Sequence, residues 1–315
     1  MSTSQQPTSP GHRNLLLSLF AVIAIFIAGY SILLHQSPDG RPGAYQIDIA
    51  KIRKLALSNE AQLPQSIDAI EIAEGKFPTG AVVAGRSLLT QHPMTFAAYR
   101  VNYAQYRVMI DTGMDRSLFD ASYKGQPFFD DNYSLMQKGL GELGEGGFVL
   151  FTHEHPDHIG GLAKSDHFSE IAKSTKLTTE QLNQKAMQLA NIDDQMKSEL
   201  IPYDYNDVSS PAPGIVLFKA AGHSPGSQMI YVMLQNGHEF LFVGDVAWDQ
   251  QNIETGIGRP LLVSLLFLHE DRQAVADQLV ALRALQEAEP NLTIVVSHDA
   301  KQLQDLRVKK IVHDF

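Results

Sequence analysis

Seven consecutive residues constrain this chain more than any others: Thr152-His153-Glu154-His155-Pro156-Asp157-His158. Three histidines and two acids fall within six positions, after the apolar run Gly147-Phe148-Val149-Leu150-Phe151 and before Gly160-Gly161. That order reads as a buried strand emptying its C-terminal end into a loop of metal-type ligands, since imidazole and carboxylate are what borderline divalent ions such as zinc take. Pro156 argues against a regular helix through the motif, so the ligands are expected from a loop. It also removes the H-E-x-x-H reading, which needs two histidines one turn apart on a helix. Glu154 alternates away from its neighbours if the segment is extended, which places it at the surface or behind the ligands.

Three later segments repeat the arrangement. Ala221-Gly222-His223-Ser224-Pro225-Gly226-Ser227 sets a histidine in a Gly/Pro loop just after the apolar run Ile215 to Lys219. Phe242-Val243-Gly244-Asp245 ends an apolar strand in an acid, and Val295-Val296-Ser297-His298-Asp299 ends another in a histidine. Taken singly, His223 and His298 read as ordinary hydrogen-bonded histidines and Asp245 as a turn former. As an ordered set, each at the end of an apolar strand, they read as ligands. The other seven histidines (His12, His35, His92, His167, His238, His269 and His313) carry no such context.

Here the chain resembles the metallo-β-lactamase superfamily. His153-x-His155-x-Asp157-His158 matches its signature, and His223, Asp245 and His298 match the later motifs in order. The resemblance covers roughly residues 75–305. It implies an α+β fold, a four-layer αββα sandwich with a two-metal site along one edge. Carried over by motif, it implies that His153, His155 and His223 hold one metal, that Asp157, His158 and His298 hold a second, and that Asp245 bridges them. The ions implied are zinc, with iron or manganese also fitting a His/Asp donor set. Two ions about 3.5–4 Å apart can share a water and lower its pKa to roughly 7, giving a bridging hydroxide. Asp157 is then the candidate to steer its proton.

Asp111-Thr112-Gly113 follows another apolar strand. It resembles the catalytic loop of aspartic proteases, but that chemistry needs two carboxylates sharing a proton, and the chain has one such triplet. In chains of the metallo-β-lactamase type the triplet implies an acid, Asp111, that orients a ligand histidine. The aspartate at position 245 points away from the β-lactamases, which typically carry cysteine or serine there. It points toward the branch of thioesterases, lactonases, phosphodiesterases and nucleases. N-acyl homoserine lactonases commonly place a tyrosine three residues after the bridging acid, where this chain has Trp248, its one tryptophan. An indole offers a donor and a broad apolar face, which suits either a pocket wall for an apolar substrate portion or a core position. The function expected is hydrolysis of an ester, lactone, thioester or related bond in a small molecule. The alternatives are a mononuclear iron persulfide dioxygenase on the same fold, a β-lactamase, and a metal-stabilised binding module.

The N-terminus sets the location. A short polar tail over residues 1–13 precedes an apolar stretch from Leu15 to Leu34. About 20 such residues are what a helix needs to cross a bilayer core, against about 7–15 for the apolar part of a cleaved signal. No A-x-A-like cleavage site follows. The expected organisation is a tail at 1–13, a transmembrane signal anchor at 14–34, a turn-rich linker at 35–44 and a hydrolase domain at 45–315. The implied location is an inner-membrane anchor with the catalytic domain outside the cytoplasm; secretion after signal cleavage is the alternative. A net charge of −10 disfavours attraction to nucleic-acid phosphates, so no nucleic-acid partner is expected. The chain has no cysteine, which excludes disulfides and thiolate ligands.

Between these motifs, Ala81 to Ala84, Thr95 to Val101, Tyr106 to Ile110, Ser227 to Leu234, Glu239 to Val243 and Leu292 to Val296 are predicted strands. Helices are predicted over Asn132 to Leu143, Thr178 to Leu200 (with a Thr178/Gln181 capping box) and Asp271 to Glu287. Strands in groups with helices between them argue for two packed sheets covered by helices. Residues 164–213 read as an insertion.

Overall fold

The computed structural model describes residues 10–315, so the first nine residues of the polar tail lie outside the described residues. Eleven strands run in chain order: β1 (Ser66–Pro78), β2 (Gln91–Asn102), β3 (Arg107–Ile110), β4 (Phe148–Leu150), β5 (Thr175–Lys176), β6 (Val208–Ala212), β7 (Ile215–Lys219), β8 (Gln228–Met233), β9 (Glu239–Phe242), β10 (Leu292–Val295) and β11 (His313–Asp314). They form a six-stranded sheet, β11-β1-β2-β3-β4-β5, and a five-stranded sheet, β10-β9-β8-β7-β6.

Both faces of each sheet are buried, and the period-2 alternation of a strand decides which residue goes where. In β8, Ile230 and Val232 face the other sheet and meet Ile67, Val101, Ile110 and Leu150 across the middle of the molecule. The intervening Met229, Tyr231 and Met233 face outward, against Ile52 of helix Ile49–Ala56 and Val275, Leu279 and Leu282 of helix Arg272–Ala288. On the far side, Ile70, Met109 and Val149 pack on Met136 and Leu140 of helix Asp130–Gly141 and on Ile159 and Leu162 of helix Pro156–Ala163. Helix, sheet, sheet and helix make the four αββα layers expected.

Strand direction gathers the loops that matter. β3 and β4 are parallel in the first sheet, and β9 and β10 are parallel in the second. β7 is antiparallel to β8, which is antiparallel to β9, so β7 runs with β9. The C-terminal ends of β3, β4, β7, β9 and β10 therefore open on one edge of the sandwich.

Several sequence expectations are corrected. Ala81 to Ala84 is not a strand: Thr79–Val82 forms a single helical turn, because a four-residue apolar run fits a buried turn as well as a strand. Thr178 to Leu200 is not one helix but two, Gln184–Leu189 and Asp194–Glu199. Asn191 takes a left-handed φ of 61°, and Asp193 caps the second helix by accepting the Met196 amide at 2.8 Å. Asn and Asp at such positions favour caps over helix interiors. Thr178 and Gln181 do exchange the two capping-box hydrogen bonds, at 3.0 and 3.3 Å, but around an isolated turn. Pro156 does not keep its segment out of a helix; it begins helix Pro156–Ala163 at the first helical position, where its missing N–H costs nothing.

Helix Pro10–His35 stands apart from these layers. Its segment Asn14–His35 has 22 apolar-rich residues, none buried, and is long and apolar enough to cross a membrane. Residues after it lie along the body. Arg272 Nη2 donates to the Gln36 carbonyl at 2.6 Å, the Gly258 amide donates to Ser37 Oγ at 3.1 Å, and Arg41 pairs with Asp277 at 2.6 Å.

Candidate metal centre

The shared edge brings all seven expected ligand side chains together. His153 and His155 come from the loop after β4, and Asp157 and His158 from the first turn of helix Pro156–Ala163. His223 follows β7, Asp245 follows β9 and His298 follows β10. They form two quartets, His153/His155/His223/Asp245 and Asp157/His158/Asp245/His298, in each of which the donor atoms lie within 4.8 Å of one another. Asp245 belongs to both. Its Oδ1 lies 3.2 Å from His158 Nε2 and 3.1 Å from His298 Nε2, while its Oδ2 lies 3.3 Å from His223 Nε2 and 3.7 Å from His153 Nε2. Asp157 Oδ2 lies 3.5 Å from His298 Nε2 and 3.6 Å from His158 Nε2.

Backbone geometry forces this convergence. Asp111 sits at a φ of 58° at the end of β3, unusual for a residue with a side chain. Its carboxylate accepts the Thr152 amide and hydroxyl, both at 2.8 Å, and contacts His158 Nδ1 at 2.9 Å. Asp111 thus turns His158 so that Nε2 faces the cluster. A Cβ on Gly161 would lie 2.2 Å from the Thr112 carbonyl oxygen, so only glycine lets helix Pro156–Ala163 approach this loop. His298 Nδ1 reaches the Thr95 carbonyl at 2.9 Å, which presents its Nε2 to the cluster.

Glu154 is buried, not at the surface. It accepts the Ser224 hydroxyl at 2.8 Å and the Gly226 amide at 3.2 Å, tying the loop of His223 to the loop of His153 and His155. Trp248 is also buried; its Nε1–H donates to Asp245 Oδ2 at 2.7 Å. Its ring lies against Phe77 and His298, with the Arg259 guanidinium 5.0 Å from the indole centroid.

Three residues in this neighbourhood have no sequence signal that singles them out. Arg259 is fully buried and pairs with Glu270 at 2.5 Å. Glu270 also contacts His223 Nδ1 at 3.3 Å and accepts the Ser264 hydroxyl at 2.6 Å. Tyr123 packs against Phe96 and Phe77. Burial, with the charges of Asp157 and Asp245 nearby, pushes its phenol well above the usual range.

The electrostatics suit cations. Burial, with the neighbouring His158, lowers His153, and burial, with His223, lowers His155 to about 4. Both imidazoles are neutral at pH 7, as metal ligands must be. Burial alone would lower His158 and His298, but carboxylates outweigh it and raise both: Asp111, Asp157 and Asp245 around His158, and Asp245 and Asp157 around His298. Burial alone would raise Asp245, but the imidazoles of His298, His153, His158 and His223 hold it well below the usual carboxylate range. Buried His153 Nε2, His158 Nε2 and Asp245 Oδ1 have no hydrogen-bond partner among the described residues. Unpartnered buried polar atoms need an explanation, and an all-N/O donor set aimed at two points fits two divalent ions. A cavity of about 680 Å³ beside the cluster, bounded by His92, Asp249, Gln250 and Asp299, contains none of the seven side chains. Chemistry, not cavity size, marks the site.

Comparisons with known proteins agree with this geometry. Among curated proteins, the chain is 24% identical over 213 residues to an N-acyl homoserine lactonase of Bacillus thuringiensis, covering 64% of this chain and 80% of that one. Among solved structures, an N-acyl homoserine lactone hydrolase with N-hexanoyl-L-homoserine bound at its catalytic metal center aligns with a TM-score of 0.60 at 16% identity, over 78% of this chain and 97% of that chain. A probable metal-dependent hydrolase from Staphylococcus aureus aligns with a TM-score of 0.56 at 15% identity, over 75% of this chain and 90% of that chain. At these identities the likeness is one of fold. Membership rests on the family model described as the metallo-beta-lactamase superfamily, which matches residues 97–298, more than half of the chain. The chain belongs to the metallo-beta-lactamase superfamily.

Proposed function

We propose that this protein is a dinuclear metal-dependent hydrolase that opens a lactone, or cleaves a related ester or thioester, in a small molecule with an apolar portion. The observation that carries the reading is the placement of Asp245, with one carboxylate oxygen toward each quartet. His153, His155 and His223 would hold the first ion, Asp157, His158 and His298 the second, and Asp245 both. When bound, two zinc ions supply an activated water and polarise the oxygen of the scissile bond.

The chain's own residues do the rest. Asp111, Glu270 and the Thr95 carbonyl hold His158, His223 and His298 by Nδ1 and leave Nε2 for the cluster. Trp248 Nε1–H holds Asp245 Oδ2, so the carboxylate cannot rotate away from its position between the quartets. Asp157 is the most accessible of the three acids at the edge and is free to take and return a proton during turnover. The lactonase relatives favour a lactone as first choice, although Trp248 stands where those lactonases commonly present a tyrosine. The second quartet, complete with Asp157 and His158, favours this reading over a mononuclear iron dioxygenase. We read Asn14–His35 as the membrane anchor: 22 helical residues reach roughly 33 Å, against about 30 Å for the bilayer core.

The test is turnover by the full-length, zinc-loaded protein on a panel of N-acyl homoserine lactones of graded acyl length, simple lactones, esters and thioesters. Ring opening or cleavage is expected, and Asp157→Ala is expected to abolish it while the fold survives. Loss of no more than a few-fold in Asp157→Ala would sink the mechanism. Inertness of the two-metal protein toward the whole panel would sink the substrate class.

A further inference from the structure

Between Pro260 and His269 lies the segment Leu261-Leu262-Val263-Ser264-Leu265-Leu266-Phe267-Leu268, apolar at seven of eight positions. Such a run is expected inside a fold, yet Leu265, Leu266 and Phe267 are 55%, 62% and 74% exposed. The segment is held in place from within. Ser264 Oγ donates to Glu270 Oε1 at 2.6 Å, and the His269 amide closes the turn on the Ser264 carbonyl at 2.6 Å. Val263 and Leu268 pack on the cluster of Val82, Val83, Met94 and Trp248. Three consecutive large apolar side chains are thus presented outward on a pinned support, and an exposed apolar patch of this kind marks a contact with membrane or protein.

Its position selects the membrane. The segment Leu261–Val263 touches helix Pro10–His35. The end of that helix is fastened to the body on either side of it: the Gly85 amide donates to the Leu34 carbonyl at 3.1 Å, the Gly258 amide to Ser37 Oγ at 3.1 Å, and Arg272 to the Gln36 carbonyl at 2.6 Å. The patch is therefore continuous with the apolar surface of Asn14–His35 at the point where that helix meets the body. Exposed His269 follows Leu268 directly and gives the patch a polar border. We infer that Leu265, Leu266 and Phe267 dip into the leaflet through which Asn14–His35 leaves the bilayer, so that the body rests on the membrane by two contacts and not by a tether. This inference rests on reading Asn14–His35 as a membrane span. The buried side of the same segment packs on the cluster that contains Trp248, the tryptophan that holds Asp245.

The chain has no cysteine, so single cysteines can be spin-labelled without background. Three full-length variants are reconstituted in phosphatidylcholine/phosphatidylglycerol vesicles: Phe267→Cys, Phe20→Cys within the span, and Val308→Cys, exposed on helix Ala300–Val308. Nitroxide accessibility is then read with oxygen, which concentrates in lipid, and chromium oxalate, which stays in water. The labels at 267 and 20 are expected to be relaxed by oxygen and shielded from chromium oxalate, and the label at 308 the reverse. A lipid signature at 20 with a water signature at 267 overturns the inference and leaves the anchor standing. Water signatures at both overturn the anchor as well. Shielding of 267 from both reagents, with dipolar coupling between labels, overturns it in favour of a second copy of the chain.

Discussion

Glu270→Gln tests how the fold supports the centre. Glu270 and Arg259 are an ion pair whose side chains are 2% and 0% exposed, and Glu270 is the partner of His223 Nδ1. The change keeps the shape and removes the charge, leaving a buried guanidinium without its counter-ion. Breaking a buried pair from one side costs about 3–5 kcal/mol. At about 2.1 cal/mol/K per residue, a folded body of about 270 residues unfolds with an entropy of about 0.57 kcal/mol/K, so the midpoint should fall by about 5–9 °C. Losing the group that orients a proposed ligand histidine should also weaken metal binding by about 10–100-fold, and the ion affected would be the one proposed for His155 and His223. Thermal unfolding of the metal-free protein reads the first effect, and competition with a chromophoric chelator reads the second. A midpoint within about 2 °C of wild type, together with unchanged affinity for both ions, would show that Glu270 supports neither the buried Arg259 nor His223.

Other perturbations separate the two halves of the centre. The acids around His158 and His298 keep these imidazoles protonated to higher pH than usual, whereas His155 stays neutral down to about 4. A histidine with a raised pKa must release its proton to bind metal, so on acidification the second quartet should empty first. Metal content against pH, in the variants His155→Ala and His158→Ala, checks the order: the ion left in His155→Ala should be lost at the higher pH. Gly161→Ala would drive a methyl into the Thr112 carbonyl oxygen 2.2 Å away. It should destabilise by about 1–3 kcal/mol, as overpacking does, and it should weaken the second ion more than the first, measured by denaturant unfolding and metal titration.

The candidate ligand set was legible because His153, His223, Asp245 and His298 each follow an apolar strand, and strand direction carries those strand ends to one edge. Local rules were less informative where one position decides the outcome. Pro156 reads as a helix breaker, yet at the first helical position it starts the helix that presents Asp157 and His158. The apolar stripe from Leu182 to Leu200 holds only in part: Leu182, Ala186 and Leu200 are buried, Leu189 is exposed, and Asn191 and Asp193 divide the segment. Arg259 and Glu270 could not be read at all. They lie 11 residues apart in an apolar stretch, and only the folded loop sets both beside His223 and Trp248. For Glu154, alternation left open the surface or a place behind the ligands; the loop of His223 settles it behind them, by the bonds from Ser224 and Gly226.

We propose that seven side chains hold two ions with Asp245 between them. The most direct test is elemental analysis of full-length protein, purified without chelators and loaded to saturation, alongside Asp157→Ala and Asp245→Ala. Two divalent ions per chain are expected in the wild type, close to one in Asp157→Ala, and loss from both positions in Asp245→Ala. A wild type that saturates at a single ion per chain, or an Asp245→Ala variant that still holds two, would contradict it.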